Sequence, residues 1–388
     1  MQKIMNLFAV TIFLCGDVMT GRGIDQILPH PSPPQIYEPY MTDARGYVEL
    51  AEKTFGSIPK PFNFAAVWGD AIPELDKHAP DVRLINLETA VTESEDYWKG
   101  KGINYRMNPA NAPVLSAAKI TVVALANNHA LDWGYAGLAE TVKTLASLKI
   151  DHAGAGKNQN DAEAPAIADV EGKARVIVFS FAAETSGVPE AWAATDKQSG
   201  VNLLPDLSSE TIRCIRNQVL QVKKQDDIVI ASIHWGPNWG YDISAEETRF
   251  SHKLIDEAGV DVIHGHSSHH VKAIEVYRNK LILYGCGDFL NDYEGIGGHE
   301  VFRGDLGLMY FARVDPLTGR LLSLDMTPTQ IRHFRVNYAS PGDAAWLAGF
   351  LNREGKRFGT SIEIVEENRL RLHNTSGTRL SESSSFRL

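Results

Sequence analysis

The sequence contains few cysteines, no long apolar run and no excess of basic residues. Its three cysteines, Cys15, Cys214 and Cys286, are too few for a disulfide framework and suit a reducing compartment. No run reaches the roughly 18 apolar residues that a membrane-spanning helix needs. The net charge of -10 argues against binding to nucleic acid. We therefore expect a cytoplasmic protein with no membrane span and no nucleic-acid partner.

The N-terminus, MQKIMNLFAVTIFLCGD, imitates a signal peptide because Lys3 precedes an apolar run. The run is short, however, has no small-x-small cleavage site, and ends in Gly16 and Asp17. We interpret it as a buried first strand whose end positions Asp17, rather than as a cleaved signal.

Short apolar runs rich in β-branched residues recur along the chain and alternate with helical patterns such as YAGLAETVKTLASLK. Continuous apolar runs of this length are typical of strands buried on both faces. The runs are VTIFLCGD, VRLINLE, TVVALANN, ARVIVFSFA, DIVIASIHWG, VDVIHGH and KLILYGCGD. The alternation of strands and helices predicts an α/β fold with layered helices and sheets.

Residues 26–80 interrupt this alternation with the proline-rich run PHPSPPQIYEPY, which cannot form a core strand or a helix interior. We interpret residues 26–80 as an insertion, and a long early insertion is often a functional loop or lid. The main domain is predicted to cover residues 1–330. A helical and strand extension follows over residues 331–373, with a helix beginning near Asp343, and the Ser-rich tail, residues 374–388, is predicted to be disordered.

Five of the apolar runs end in side chains that can bind a metal or a phosphate group. In open α/β sheets, binding sites lie beyond the carboxyl ends of the strands. Each group alone has a structural explanation, since an asparagine can cap the next helix and a histidine after a strand can belong to the core. All five together favour a functional site. The residues are Asp17, Glu88, Asn127, Asn128, His129, His234, His264, His266, His269 and His270.

The candidate ligands are carboxylates, amides and imidazoles, with no cysteine thiolate. This composition suits divalent transition metals such as Mn, Fe or Zn and disfavours a cysteine-based structural zinc site. The candidates outnumber the four ligands of one tetrahedral ion. We therefore expect two ions that share a bridging carboxylate.

Five segments in this order resemble the signature motifs of the CapA-type poly-γ-glutamate capsule biosynthesis proteins: GDVMTGR, NLE, NNHALDWG, HWG and GHSSHHVKAIEVYRNKLILYGCGDF. That family in turn resembles the calcineurin-like metallophosphoesterases. The resemblance covers roughly residues 8–330. It implies a metallophosphatase-like α/β sandwich built around two central β-sheets.

The resemblance also implies roles for individual residues. His129 takes the place of the general acid, and the implied metal ligands are Asp17, Glu88, Asn128, His234, His266 and His269. To these we add Asp132, which we expect to orient His129, and Arg22, whose planar guanidinium could hold an anionic group of the substrate.

The chain departs from the metallophosphoesterase pattern at two motifs. Met19 stands where Asp-x-His has its histidine, and Asn-Leu-Glu replaces Gly-Asp-x-x-Asp. We therefore expect one metal to be held more weakly than the other.

Two classes of function follow. The first is a metal-dependent hydrolase or transferase that acts on a phosphoester or on an amide of poly-γ-glutamate. A cell-wall peptide hydrolase is a further alternative. The second is a non-catalytic accessory protein that binds polyglutamate or a polyglutamate synthase. The pair Asn128–His129 favours the enzyme because an accessory protein has no evident need for a general acid, whereas Met19 favours the accessory protein.

Overall fold

The computed structural model describes residues 8–374, so the tail predicted to be disordered lies outside the described residues apart from its first residue. Within this range, each of the seven predicted runs contains a strand. The strands are β1 (Val10–Val18), β2 (Val82–Leu87), β3 (Ala90–Val91), β4 (Arg106–Met107), β5 (Val122–Ala124), β6 (Asp151–Ala153), β7 (Ala155–Gly156), β8 (Ala166–Val170), β9 (Ala174–Ala182), β10 (Gly200–Val201), β11 (Ile228–His234), β12 (Val262–His266), β13 (Ile274–Tyr277), β14 (Lys280–Leu283), β15 (Asp288–Leu290), β16 (Leu306–Asp315), β17 (Arg320–Ile331), β18 (Val336–Tyr338), β19 (Thr360–Ile364) and β20 (Leu370–Asn374).

Helices occupy the connections between many of these strands. The α-helices are α1 (Gly23–Ile27), α2 (Arg45–Phe55), α3 (Ala71–His78), α4 (Pro113–Ala117), α5 (Gly134–Ser147), α6 (Gln159–Glu163), α7 (Ser209–Val222), α8 (Ala245–Asp256) and α9 (Pro341–Gly355). Short 3₁₀ helices cover Pro109–Asn111, Glu184–Ser186, Glu190–Trp192, Glu300–Phe302, Lys356–Phe358 and Glu366–Asn368. Among residues 8–374, no helix combines the length and the apolar character needed to cross a bilayer.

Two large sheets form the centre of the molecule. The ten-stranded sheet has the order β19-β20-β17-β16-β1-β2-β5-β6, with β15 beside β1 and β18 beside β17. The six-stranded sheet has the order β13-β14-β12-β11-β9-β8. Four pairs of neighbouring strands that lead to the site are parallel: β1 with β2, β2 with β5, β9 with β11 and β11 with β12. Parallel neighbours bring their carboxyl ends to the same edge of a sheet.

The two sheets pack face to face, and side chains alternate between the two faces of each strand. On β1, Ile12 and Leu14 point to the core between the sheets, which they share with Ile230 of β11. Phe13 belongs to the opposite face, which α2, α3 and α5 cover. Helices α7 and α8 cover the outer face of the six-stranded sheet. This arrangement confirms the predicted layered α/β sandwich with two central sheets.

The segments outside the sandwich pattern pack onto it. The proline-rich residues 29–40 lie outside every helix and named strand, whereas the rest of the 26–80 insertion contains α2 and α3. Helix α9 begins after Ser340, whose side chain accepts a hydrogen bond from the Asp343 backbone. Beyond it, β19 and β20 continue the ten-stranded sheet. The extension over residues 331–373 therefore shares a sheet with β1, the strand that carries Asp17.

Candidate metal centre

Polar residues from both sheets lie together where their parallel strands end. Asp17, His234, His266 and Glu88 are all buried. His266 Nδ1 lies 3.9 Å from Asp17 Oδ1, and His234 Nε2 lies 4.0 Å from Glu88 Oε1. The carboxylates come from the ten-stranded sheet and the imidazoles from the six-stranded sheet, so the packing of the sheets assembles the site.

Two groups of three side chains have the geometry of metal sites. One contains Asp17, His234 and His266, and the other contains Asp17, His269 and Asp288. In each group the potential ligand atoms lie within 4.8 Å of one another. Asp17 belongs to both groups, which is the arrangement expected of a carboxylate shared between two ions.

Asp288 is a site residue that the sequence motifs left without a ligand role. It is the register partner of Asp17 because β15 runs parallel to β1. The two strands approach closely at Gly16, where a Cβ atom would lie 1.8 Å from the Gly287 oxygen. The signal in the sequence was the second Gly-Asp pair, Gly287–Asp288, which repeats the pattern of Gly16–Asp17 at the end of an apolar run.

The triplet Asn127, Asn128 and His129 does not cap the helix that follows it. Helix α5 begins after Trp133, which makes no capping hydrogen bond with its side chain. Instead, Asn127 donates to Asn86 Oδ1 at 3.0 Å and accepts from the backbone nitrogen of His129 at 3.0 Å. Asn127 therefore holds the loop, which leaves Asn128 and His129 available for the chemistry of the site.

His129 is held at its Nδ1 atom and presents Nε2 to the metal centre. Nδ1 lies 2.6 Å from Asp132 Oδ2 and 2.9 Å from Lys101 Nζ, while Nε2 lies 3.8 Å from Glu88 Oε1. Lys101 also pairs with Asp132. Burial lowers the pKa of His129 to about 4, with the Lys101 cation adding to this effect and the Asp132 carboxylate opposing it. Lys101 lies in a glycine-flanked loop, where nothing in the sequence distinguishes it from a surface lysine.

Like charges crowd the carboxylate side of the site. Burial and the neighbouring Asp288 carboxylate raise the pKa of Asp17 to about 7. Burial and the Asp17 carboxylate likewise raise the pKa of Glu88. Asn86 Nδ2 bridges the two, at 2.7 Å from Asp17 Oδ1 and 3.1 Å from Glu88 Oε2. A bound divalent cation would relieve this repulsion far more than one amide can.

The imidazole side also fits a metal. Burial lowers the pKa of both His234 and His266, and a neutral ring is the form that binds metals. Within residues 8–374, His234 Nε2 and Asn128 Oδ1 are buried without a hydrogen-bond partner. An unsatisfied buried polar atom costs about 1–3 kcal/mol. Coordination of a cation would satisfy both atoms.

His269 pairs directly with Asp288, at 2.9 Å between Nδ1 and Oδ1. Burial acts to lower its pKa, but the charge and hydrogen bond of Asp288, together with the Asp17 carboxylate, raise the pKa of His269 overall. A metal ion bound between these two residues would replace that proton.

Arg22 lies beside the site but is already engaged by carboxylates. Its Nη1 donates to Glu38 and its Nε to Asp292, both at 2.9 Å. The guanidinium lies between the rings of Tyr47 and Tyr105, at 3.6 and 4.5 Å from their centroids. Two carboxylates outweigh its single charge, so binding of a substrate anion by Arg22 stays a prediction and would need one of these pairs to open.

A cavity of about 540 Å³ lies next to the metal centre. Its buried lining residues include Arg22, His269 and Asn291. Farther out, Trp239 stacks on His299 with 4.1 Å between ring centroids, and both rings line the cavity.

The outer part of this cavity also carries a cation. Arg332 lines it and is exposed, with its guanidinium 4.9 Å from the centroid of the Phe55 ring. The cavity thus combines a basic group and aromatic surfaces, and the candidate ligand His269 is part of its lining.

Residues 11–293 match the family model described as bacterial capsule synthesis protein PGA_cap. A protein of Mycobacterium tuberculosis H37Rv, described as a probable polyglutamine synthesis accessory protein, is 49% identical over 366 residues, which cover 94% of this chain and 96% of the relative. The PGA biosynthesis protein CapA of Bacillus subtilis is 31% identical over 215 residues, 55% of this chain and 54% of the relative. The capsule biosynthesis protein CapA of Bacillus anthracis is 28% identical over 285 residues, 73% of this chain and 60% of the relative. These matches confirm the resemblance seen in the motifs: the chain belongs to the bacterial capsule synthesis protein PGA_cap family.

Proposed function

We propose that this protein is a dinuclear metal-dependent hydrolase that acts in the biosynthesis or processing of poly-γ-glutamate. The observation that carries the proposal is the position of Asp17, which belongs to both groups of potential metal ligands. The buried atoms His234 Nε2 and Asn128 Oδ1, which lack a partner within the described chain, support it.

The ligand set would comprise Asp17, Glu88, Asn128, His234, His266 and His269, joined by Asp288. Oxygen and nitrogen donors without thiolates suit Mn, Fe or Zn. Two such ions supply Lewis acidity and lower the pKa of water to about 7.

His129 is the residue that we assign to the leaving group. The Asp132 carboxylate can only accept, so its 2.6 Å contact places a proton on Nδ1 of His129, and Nε2, the atom that faces the metal centre, carries a second proton when the ring is an imidazolium. Asp132 accepts a 2.6 Å hydrogen bond from the Tyr105 backbone, which fixes the carboxylate that orients the ring. As an imidazolium stabilised by Asp132, His129 can donate its Nε2 proton to the leaving atom as the bond breaks.

The cavity beside the metal centre would hold the rest of the substrate. Its outer cation, Arg332, suits a side-chain carboxylate of polyglutamate, and the stacked Trp239 and His299 rings suit the aliphatic parts of the chain. Because the protein carries a net charge of -10, such an anion must be recognised locally and not by long-range attraction.

A second candidate function is that of an accessory protein that binds polyglutamate or a synthase without turnover. The lowered pKa of His129 favours it, since a ring with a pKa of about 4 is almost entirely neutral at pH 7 and then has no imidazolium proton to donate. The Mycobacterium tuberculosis relative also bears the name of an accessory protein.

Protein purified without chelators and reloaded with Mn²⁺ or Zn²⁺ can separate the two functions. It is incubated with poly-γ-glutamate and with a panel of phosphoesters, and its binding to poly-γ-glutamate is measured in parallel. Metal-dependent cleavage of either substrate class supports the hydrolase. Metal-dependent binding of poly-γ-glutamate with no turnover on any substrate would replace it by the accessory function.

A further inference from the structure

A row of buried side chains runs from the metal centre into the core between the two sheets. Ser232 of β11 and His264 of β12 are register partners, and both are fully buried. Ser232 Oγ lies 2.9 Å from His266 Nε2 and 3.0 Å from His264 Nδ1. His264 Nε2 lies 2.7 Å from the backbone oxygen of Cys15 on β1. The row therefore links His266 to the opposite sheet.

The carbonyl of Cys15 sets the direction of these hydrogen bonds. A carbonyl oxygen can only accept, so His264 Nε2 must carry a proton. The partners of His264 are a carbonyl and a hydroxyl, neither of which would compensate a buried cation, so the ring is neutral and its Nδ1 accepts from the Ser232 hydroxyl. Ser232 has a single proton to donate, and its oxygen is then left to accept from His266 Nε2.

The result is one defined tautomer of His266. With its proton on Nε2, the ring presents the lone pair of Nδ1 on the side of Asp17, 3.9 Å from Asp17 Oδ1. His234 continues this chain of hydrogen bonds. Its Nδ1 lies 2.8 Å from His266 Nδ1 and donates to it when no cation lies between the rings. His234 Nε2 then keeps a lone pair, in agreement with the absence of a hydrogen-bond partner for this buried atom within residues 8–374.

We propose that Ser232 and His264 are positioning residues that hold the proton of His266 on Nε2 and so keep its Nδ1 lone pair directed at the metal centre. The proposal rests on the proposed metal-dependent function but concerns residues that have no contact with substrate. Partners behind a ligating histidine typically contribute about 10–100-fold to metal affinity.

The tautomer can be tested without any metal. In apo protein with ¹⁵N-labelled histidines, the ring-nitrogen NMR signals of His266 should report a proton on Nε2. Ser232→Ala removes both hydrogen bonds of the hydroxyl and should yield a mixture of tautomers. A proton on Nδ1 of His266 in the wild type, or an unchanged tautomer in Ser232→Ala, would overturn the proposal.

The consequence for metal binding is tested by Zn²⁺ titration against a competing chelator. Ser232→Ala should weaken one of the two binding steps by about 10–100-fold and leave the other step unchanged. Ser251→Ala is the matched control, since Ser251 is also fully buried but its hydroxyl donates to Glu247 O within α8. If Ser232→Ala does not fold, Ser232→Cys keeps nearly the same volume with a weaker donor, and it should weaken the same step.

These two arms separate the positioning role from the proposed function. A wild-type protein that binds no Zn²⁺ and no Mn²⁺ would overturn the metal-dependent function, and the tautomer measurement would still decide the direction of the hydrogen bonds. Tight Zn²⁺ binding that Ser232→Ala and Ser232→Cys both leave unchanged would overturn the positioning role alone.

Discussion

The two sheets contribute different chemistry to the same site. The ten-stranded sheet and its loops provide an oxygen wall, which consists of Asp17, Glu88, Asn128 and Asp288. The six-stranded sheet provides a nitrogen wall, which consists of His234, His266 and His269. Each of the two candidate ligand groups found among residues 8–374 combines residues from both walls.

The walls also differ in how they tolerate the absence of a cation. Burial and mutual repulsion raise the pKa of Asp17 and Glu88, so the oxygen wall stores unfavourable electrostatic energy. In the nitrogen wall, burial keeps His234 and His266 neutral, and His266 is held by the hydrogen bond that its Nε2 donates to Ser232. In the proposed metal centre, the oxygen wall would supply most of the attraction for the ions and the nitrogen wall would orient its lone pairs toward them.

The largest effect is expected where the two ligand groups overlap. Asp17→Asn should remove both metal equivalents because Asp17 belongs to both groups, whereas His266→Ala should remove one. Combining His266→Ala with His269→Ala should again remove most of the metal. Metal content by mass spectrometry checks all three variants. If Asp17→Asn retained a full equivalent of metal, Asp17 would not be shared between two ions. If the double histidine variant retained all its metal, the proposed metal centre would be wrong.

A smaller effect, confined to turnover, is expected at His129. It lies next to Asn128 of the oxygen wall but contacts Asp132 and Lys101 through Nδ1. His129→Ala should keep the metals and lower turnover by about 10²–10⁴-fold, the usual range for a positioned acid. Asn128→Ala should lower both the metal content and the turnover. Unchanged turnover in His129→Ala, on a substrate that the wild type cleaves, would remove the proton-donor role.

The smallest effect is a pH-dependent difference in the stability of the apo protein. An acid whose folded pKa is about 7, above its unfolded value, stabilises the fold fully at low pH and loses this contribution as pH rises through about 7. Asp17→Asn removes that dependence. The melting temperature of apo Asp17→Asn, relative to apo wild type, should therefore rise between pH 5 and pH 8. A difference that stays constant over this range would show that the oxygen wall is not strained.

The sequence predicted the parts of the site that lie at the ends of continuous strands. Asp17 and His234 each end an apolar run, and parallel strands bring such ends together. Asp288 and Lys101 could not be placed in this way. Asp288 reaches Asp17 through the pairing of β15 with β1, which depends on contact between distant segments. Lys101 reaches Asp132 from an irregular loop.

In the fold, too, contacts between distant segments could not be predicted from local sequence patterns. The α/β layers followed from the alternation of apolar runs and helical patterns. The C-terminal strands β19 and β20 join the ten-stranded sheet through β17, and no local pattern in their short sequences indicates that partner. The proposed positioning role of Ser232 could not be predicted for another reason. A serine inside an apolar strand suggests such a role only when its contacts with the histidines of the neighbouring strand are known.

The most direct test of the shared site is anomalous diffraction from crystals of the protein loaded with Mn²⁺ or Zn²⁺. We expect two anomalous peaks on either side of the Asp17 carboxylate, one bounded by His234 and His266 and the other by His269 and Asp288. A single peak that Asp17 does not touch, or no peak between the two walls, would contradict the account.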